Sequence, residues 1–193
     1  MSQTAWIVVA VVAVAAVLVI AAIMSSRRRR SEHLKDRFGR EYDRTVKATG
    51  DRSKAEADLE EREKRVEKLD IRPLDASERR DFLGRWTEVQ ARFVDDPARA
   101  VAFADALLGD VMKARGYPVS DFEQRAGDIS VDHPVVVEHY HKAHEIAVRH
   151  GRGEASTEDL RQAMIHYRAL FDNLVGAQAP AESAPLEREP AHH

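Results

Sequence analysis

Histidine and glutamate crowd one stretch of this chain. Of nine histidines, four fall at positions 139, 141, 144 and 150, and His133 stands just ahead of them. Glu138 and His141 lie three residues apart, a spacing that sets a carboxylate and an imidazole on one helix face, as in carboxylate-bridged di-iron bundles. Such centres need a second Glu-x-x-His and two further glutamates. Neither follows, because Glu158 and Asp159 lie too far ahead of His166. His144 and Glu145 begin the zinc-protease pattern His-Glu-x-x-His, but position 148 is valine. The stripe is expected to be solvent-facing and satisfied, with no metal and no cofactor. Glu138, Tyr140, His141 and His144 are the candidates for a ligand-binding or pH-sensitive face. The chain has no cysteine, which excludes disulfides, thiolate nucleophiles and cysteine-ligated zinc. Gly-x-Ser-x-Gly and phosphate-loop patterns are absent. Gly151, Arg152 and Gly153 read as a turn, and Asp95 with Asp96 before Pro97 reads as a helix cap rather than an acid/base pair. No catalytic residue is assigned, and the chain is not expected to be an enzyme.

The elements that must hold these residues are helical, since no strand-like alternation of any length occurs. In residues 77–94, Phe82, Trp86, Val89 and Phe93 recur at spacings of four and three, a core-facing stripe behind Ser77 as N-cap. Pro97 opens a helix to about Arg115 that buries Val101, Ala104, Leu107, Leu108, Val111 and Met112, with Gly116 as the left-handed cap and Tyr117 and Pro118 as the connection. Ser120 and Glu123 have capping-box spacing and predict a short helix through about Ala126, ended by Gly127 and followed by a loop over 128–133. A helix over 134–150 carries the His/Glu set, closed by Gly151. A last helix from Ser156 or Thr157 to Gly176 turns Leu160, Met164, Tyr167, Leu170, Phe171 and Leu174 inward. Residues 71–176 therefore read as one small α-helical bundle. Residues 177–193, with three prolines and no apolar periodicity, are expected to be disordered.

Ahead of the bundle lie two different segments. Residues 6–24 are nineteen consecutive apolar residues without charge, Pro or Gly, roughly 28 Å of helix against a hydrocarbon core of about 30 Å. Trp6 fits an interfacial anchor, and Arg27, Arg28, Arg29 and Arg30 fit the cytoplasmic flank of a positive-inside span. The expectation is a transmembrane anchor over 1–26 in the inner membrane, N-terminus outside and bundle in the cytoplasm. The alternative is a signal segment cleaved on export, although here the positive charge follows the apolar stretch. Residues 27–70 hold 15 Lys and Arg against 12 Asp and Glu, while the whole chain carries a net charge of -3, leaving -6 for residues 71–193. A basic flank of this kind is drawn to anionic headgroups. Its place against the apolar run argues for a bilayer and against nucleic acid, which would want a spread basic face. Leu34, Phe38 and Tyr42 make one narrow stripe. Beyond Gly50 the alternating charges around Leu59, Val66 and Leu69 read as a solvated helical stalk, with a short heptad seam as a possible route to a homo-oligomer.

Three segments carry a resemblance: Phe38-Gly39-x-Glu41-Tyr42-Asp43-Arg44-Thr45-Val46, Gln90-Ala91-Arg92-Phe93-Val94-Asp95-Asp96-Pro97 and Arg115-Gly116-Tyr117-Pro118-Val119. The chain, over roughly residues 34–174, resembles an uncharacterised family of bacterial single-pass membrane-anchored proteins. The resemblance implies a bacterial origin and a membrane anchor, and no activity. The expected role is a membrane-tethered helical interaction or scaffold module for a protein partner. Its interaction surface would join Asp95, Asp96 and Pro97 to Tyr117, Pro118 and Asp121 in the loop over 117–134. A small-molecule or metal-binding bundle using the His/Glu face is the alternative.

Overall fold

The architecture is all-helical. A computed structural model describes residues 3–176, with side chains from Val14 onward. Eight helices follow one another among the described residues: α1 (Gln3–Phe38), α2 (Arg40–Thr49), α3 (Arg52–Val66), α4 (Ala76–Arg92), α5 (Pro97–Ala114), α6 (Phe122–Asp132), α7 (Pro134–Gly151) and α8 (Thr157–Gly176). The expected disorder of 177–193 and the interfacial side chain of Trp6 lie outside the described residues. Among those residues no helix is long and apolar enough to cross a membrane.

The periodic stripes of the sequence build the core. In the bundle of α4, α5, α7 and α8, Trp86 of α4 stacks on Phe171 of α8 with ring centroids 4.6 Å apart. Leu108, Met112, Tyr140, Tyr167, Leu170 and Leu174 close around them with almost no exposed surface. Each such side chain contributes about 1.5–3 kcal/mol of apolar burial. Start signals act close to their expected places. Asp75, rather than Ser77, caps α4 and exchanges a full capping box with Glu78. Asp96 accepts from the Arg99 amide with Pro97 in the first turn of α5, and Asp121, rather than Ser120, caps α6. Gly116 takes φ 102° after α5, where a Cβ would stand 2.2 Å from the Asp70 carbonyl oxygen. Only glycine lets the linker before α4 pass this close.

Two expectations are corrected. Helix α6 does not end at Ala126: it runs through Gly127 to Asp132 and buries Ile129 and Val131. Gly127 takes an ordinary helical conformation against the Arg62 side chain, 3.4 Å from where a Cβ would stand, so it does not stop the helix. Residues 27–70 are not a solvated stalk. The chain kinks at Gly39, and the end of α1 with α2 and α3 folds onto α6 and α7. Leu34, Phe38, Tyr42, Leu59 and Val66 form a second core with Val131. The seam of Leu59 and Val66 is thus closed within the chain, because the stripe on α1 and α2 supplies the apolar partner that α3 lacked on its own. Ser31 meets Glu56 and, further along both helices, Arg37 meets Glu63, with Arg30 reaching Glu60 between them, so α3 begins beside residue 31 and runs alongside α1 in the same direction.

Candidate functional site between α2, α3 and the bundle

The expected His/Glu stripe on α7 divides between two places. The contacts of each side chain set the division, with Phe122 of α6 at the boundary, stacked on His144 and edge-on to His141. Glu138 and His141 look toward α2. Tyr140 and His144 look toward α5 and α6.

On the α2 side, Glu41 and His141 are 5% and 7% exposed, the two halves of a buried carboxylate and imidazole. His141 Nε2 stands 3.3 Å from Glu41 Oε2, within ion-pair range but off the line of a hydrogen bond, and His141 Nδ1 has no partner among the described residues. Arg62 of α3 donates to Glu41 Oε1 at 3.1 Å and pairs with Asp58 at 2.7 Å. Burial pushes the Glu41 carboxyl up, yet His141 and Arg62 outweigh it and hold the group below its ordinary value. One turn further along α3, Arg65 Nε donates at 2.8 Å to Asp128 of α6, a carboxylate 1% exposed whose second oxygen is unpartnered among the described residues. Above the cluster a cleft of about 220 Å³ opens between Arg40, Arg44, Val137 and Glu138. Lys142 at 2.7 Å and Arg40 at 2.9 Å bring the Glu138 carboxyl down to about 2. The α2-facing part of the stripe is not solvent-facing, since α2 packs over it and buries His141. The cluster is an electrostatic clamp joining α2, α3, α6 and α7, with alternating charges that desolvate together.

On the other side, Asp105 of α5 accepts from Tyr140 Oη at 3.3 Å and from Arg125 at 3.2 Å. Burial raises both the Tyr140 and the Tyr167 hydroxyls above their usual range, so each is a neutral donor. His144 lies flat on Phe122, with centroids 3.5 Å apart, and burial there lowers its pKa. Asp105, His144, Tyr167 and Val101 line an open cleft of about 380 Å³. His139 and His166 bring their Nδ1 atoms to 2.9 Å across α7 and α8. Among the described residues no group of three or more His, Asp or Glu is placed to hold a metal ion.

The expected interaction surface is also divided. Asp95, Asp96 and Pro97 lie at the start of α5, whereas Tyr117, Pro118 and Asp121 follow its end, roughly 27 Å away along an 18-residue helix. Tyr117 is core, 3% exposed, and donates to Asp132 at 3.1 Å. Asp96 and Asp121 are spent on caps, and most of the expected loop 117–134 is α6. Sequence reasoning singled out none of Glu41, Arg62, Asp105, Arg125 or Asp128 as site residues. Each is a charge within a charged run, and its burial depends on a helix distant in sequence. Comparison with protein-family models, with curated proteins and with solved structures returns no match to this chain.

Proposed function

We propose that this chain is a membrane-tethered helical scaffold that presents a rigid bundle to a protein partner, with its N-terminus outside the inner membrane and its bundle in the cytoplasm. One observation carries the reading. Helix α1 is uninterrupted, and its two parts are treated in opposite ways: Val14, Val17, Leu18, Val19, Ile20, Ile23 and Met24 are all at least half exposed, whereas Leu34 and Phe38 are fully buried. An uncovered apolar rod in water is costly, and a bilayer would cover it. Together with residues 6–13 the rod reaches the nineteen residues a span requires, and the four arginines orient it. Because α1 passes into the second core without a flexible joint, the bundle would be held at a fixed attitude to the membrane.

The partner surface in this reading is the end of the bundle remote from α1, α2 and α3. There the turn between α4 and α5 presents Val94, 84% exposed, beside Asp95, Asp96 and Pro97. Reporter fusions after His193, with the mature mass measured in fractionated cells, test the tether. A full-length membrane-bound chain with a cytoplasmic C-terminus is expected, and a shortened exported chain would overturn the topology. Co-purification from membranes then tests the surface: Val94→Asp should release a partner that the unaltered chain retains, and retention by both would move the surface elsewhere.

A further inference from the structure

We infer that the cleft between α1 and the start of α3 is a binding site for a phosphate group, and that an anionic lipid headgroup supplies it; the lipid source rests on the membrane-tethered reading, the phosphate chemistry does not. Arg27, Arg28 and Arg30 line this cleft from α1 and Arg52 and Ser53 from α3, around about 480 Å³.

The guanidinium groups keep their outer nitrogens available. Arg28 is bound through Nε to Glu32 and Arg52 through Nε to Glu56, each at 2.9 Å, and among the described residues no hydrogen bond takes the terminal nitrogens of either. Arg30 pairs with Glu60. Arg27 is in no ion pair among the described residues. Pairing arginine through its inner nitrogen leaves the outer fork, the part that matches two phosphate oxygens, free for a ligand.

The floor is built from more than the basic run. Glu56 Oε1 accepts from Ser31 Oγ at 2.6 Å, Tyr42 Oη at 2.7 Å and Arg52 Nε. Partial burial opposes its ionisation, but these donors bring its carboxyl down to about 2. Three donors satisfy that oxygen, so the carboxylate acts as a strut that draws α1, α2 and α3 together. The first amides of α3 are not the binding element, because Asp51 accepts from Ser53 N and Lys54 N. Affinity would rest on the guanidinium groups.

Depth gives the lipid argument. Residues 27 to 31 follow Met24 by roughly 5–10 Å of helix, and a headgroup layer adds about 5–8 Å beyond the hydrocarbon on each side. Arg52 and Ser53 reach the same level although they lie more than 20 residues further along the chain, since α3 starts beside Ser31. A basic tail alone would be a diffuse attractor; here two helices close on one pocket.

The absence of cysteine allows a single fluorophore on Lys54→Cys, at the exposed rim, in the full chain. Emission is followed in nanodiscs of phosphatidylcholine, in nanodiscs doped with phosphatidylglycerol, and in phosphatidylcholine discs titrated with inorganic phosphate. A saturable shift with phosphatidylglycerol is expected, weakened about tenfold by Arg52→Gln or Arg28→Gln. Arg29→Gln, the same charge lost at the same depth but outside the cleft, should weaken it far less. Equal weakening by Arg29→Gln would reduce the effect to general polybasic attraction and overturn the site. So would no response to lipid or phosphate. An Arg52-dependent response to inorganic phosphate alone keeps the site and assigns it a soluble ligand. A chain that stays outside the discs yet responds to phosphate overturns the membrane reading and leaves the site standing.

Discussion

Glu41 keeps its charge in a place with almost no water because the His141 ring and the Arg62 guanidinium, both from other helices, face it. Removing one partner of a buried charged set strands the others, so Glu41→Ala should cost about 3 kcal/mol in urea unfolding, far more than an exposed acid such as Asp43. The pH dependence follows from direction alone. Burial on Phe122 holds His144 below its ordinary 6.5, and burial likewise lowers His133 and His166. For these rings the folded state resists protonation more than the unfolded chain does. Their contribution is complete above about pH 6.5 and is lost as pH falls below it. Glu41, also lowered, adds a second loss that begins only below about pH 4.5. Thermal unfolding followed between pH 7 and 5 should therefore show a decline that His144→Phe, which keeps the stack on Phe122, makes shallower. An unchanged slope in that variant would remove His144 from the account.

At the scale of the element, the two kinds of glycine in this chain predict opposite outcomes. Gly84 lies exposed inside α4 with nothing within 4 Å of an added Cβ, so Gly84→Ala should stabilise the protein by about 0.5–1 kcal/mol through helix propensity. Gly116→Ala meets the Asp70 backbone at 2.2 Å and a positive φ, and should destabilise by more than about 1 kcal/mol. The two midpoints in urea should move apart. Helix α6 carries the same lesson about glycine. Gly127 looks like a stop in the sequence, yet its backbone is helical, Arg62 packs on it at ordinary contact distance, and the helix continues for another turn and a half.

For the whole molecule, the question is whether residues 27–70 are an appendage or part of the fold. Val131 and Val137 on the bundle side are 3% and 1% exposed in the presence of α1, α2 and α3. A chain beginning at residue 71 would uncover Val131 and the α2-facing side of α7, and should be less stable than one beginning at residue 27 by about 3 kcal/mol. Both chains should be compared by urea unfolding with circular dichroism. Equal stabilities would make the first three helices an independent unit.

Much of this organisation is local and so was legible in the sequence. The stripes of α4, α5, α7 and α8, the Pro97 start, the Gly116 stop and the apolar run over 6–24 depend on neighbours within a few residues, where helical periodicity and backbone sterics act. The stripe of Leu34, Phe38 and Tyr42 was equally visible. What it faces was not, because α3 and α6 arrive from far along the chain and close it into a second core. The same distance hid Glu41 with Arg62 and His141, and Arg52 beside Arg28. A charge is ordinarily solvated, and only a long-range contact that removes its water and supplies a counter-charge turns it into a clamp or a cleft. Sequence by itself determined which helices form and which faces are apolar; the tertiary structure decided which charges lose water and meet, because that depends on helices brought together from distant parts of the chain.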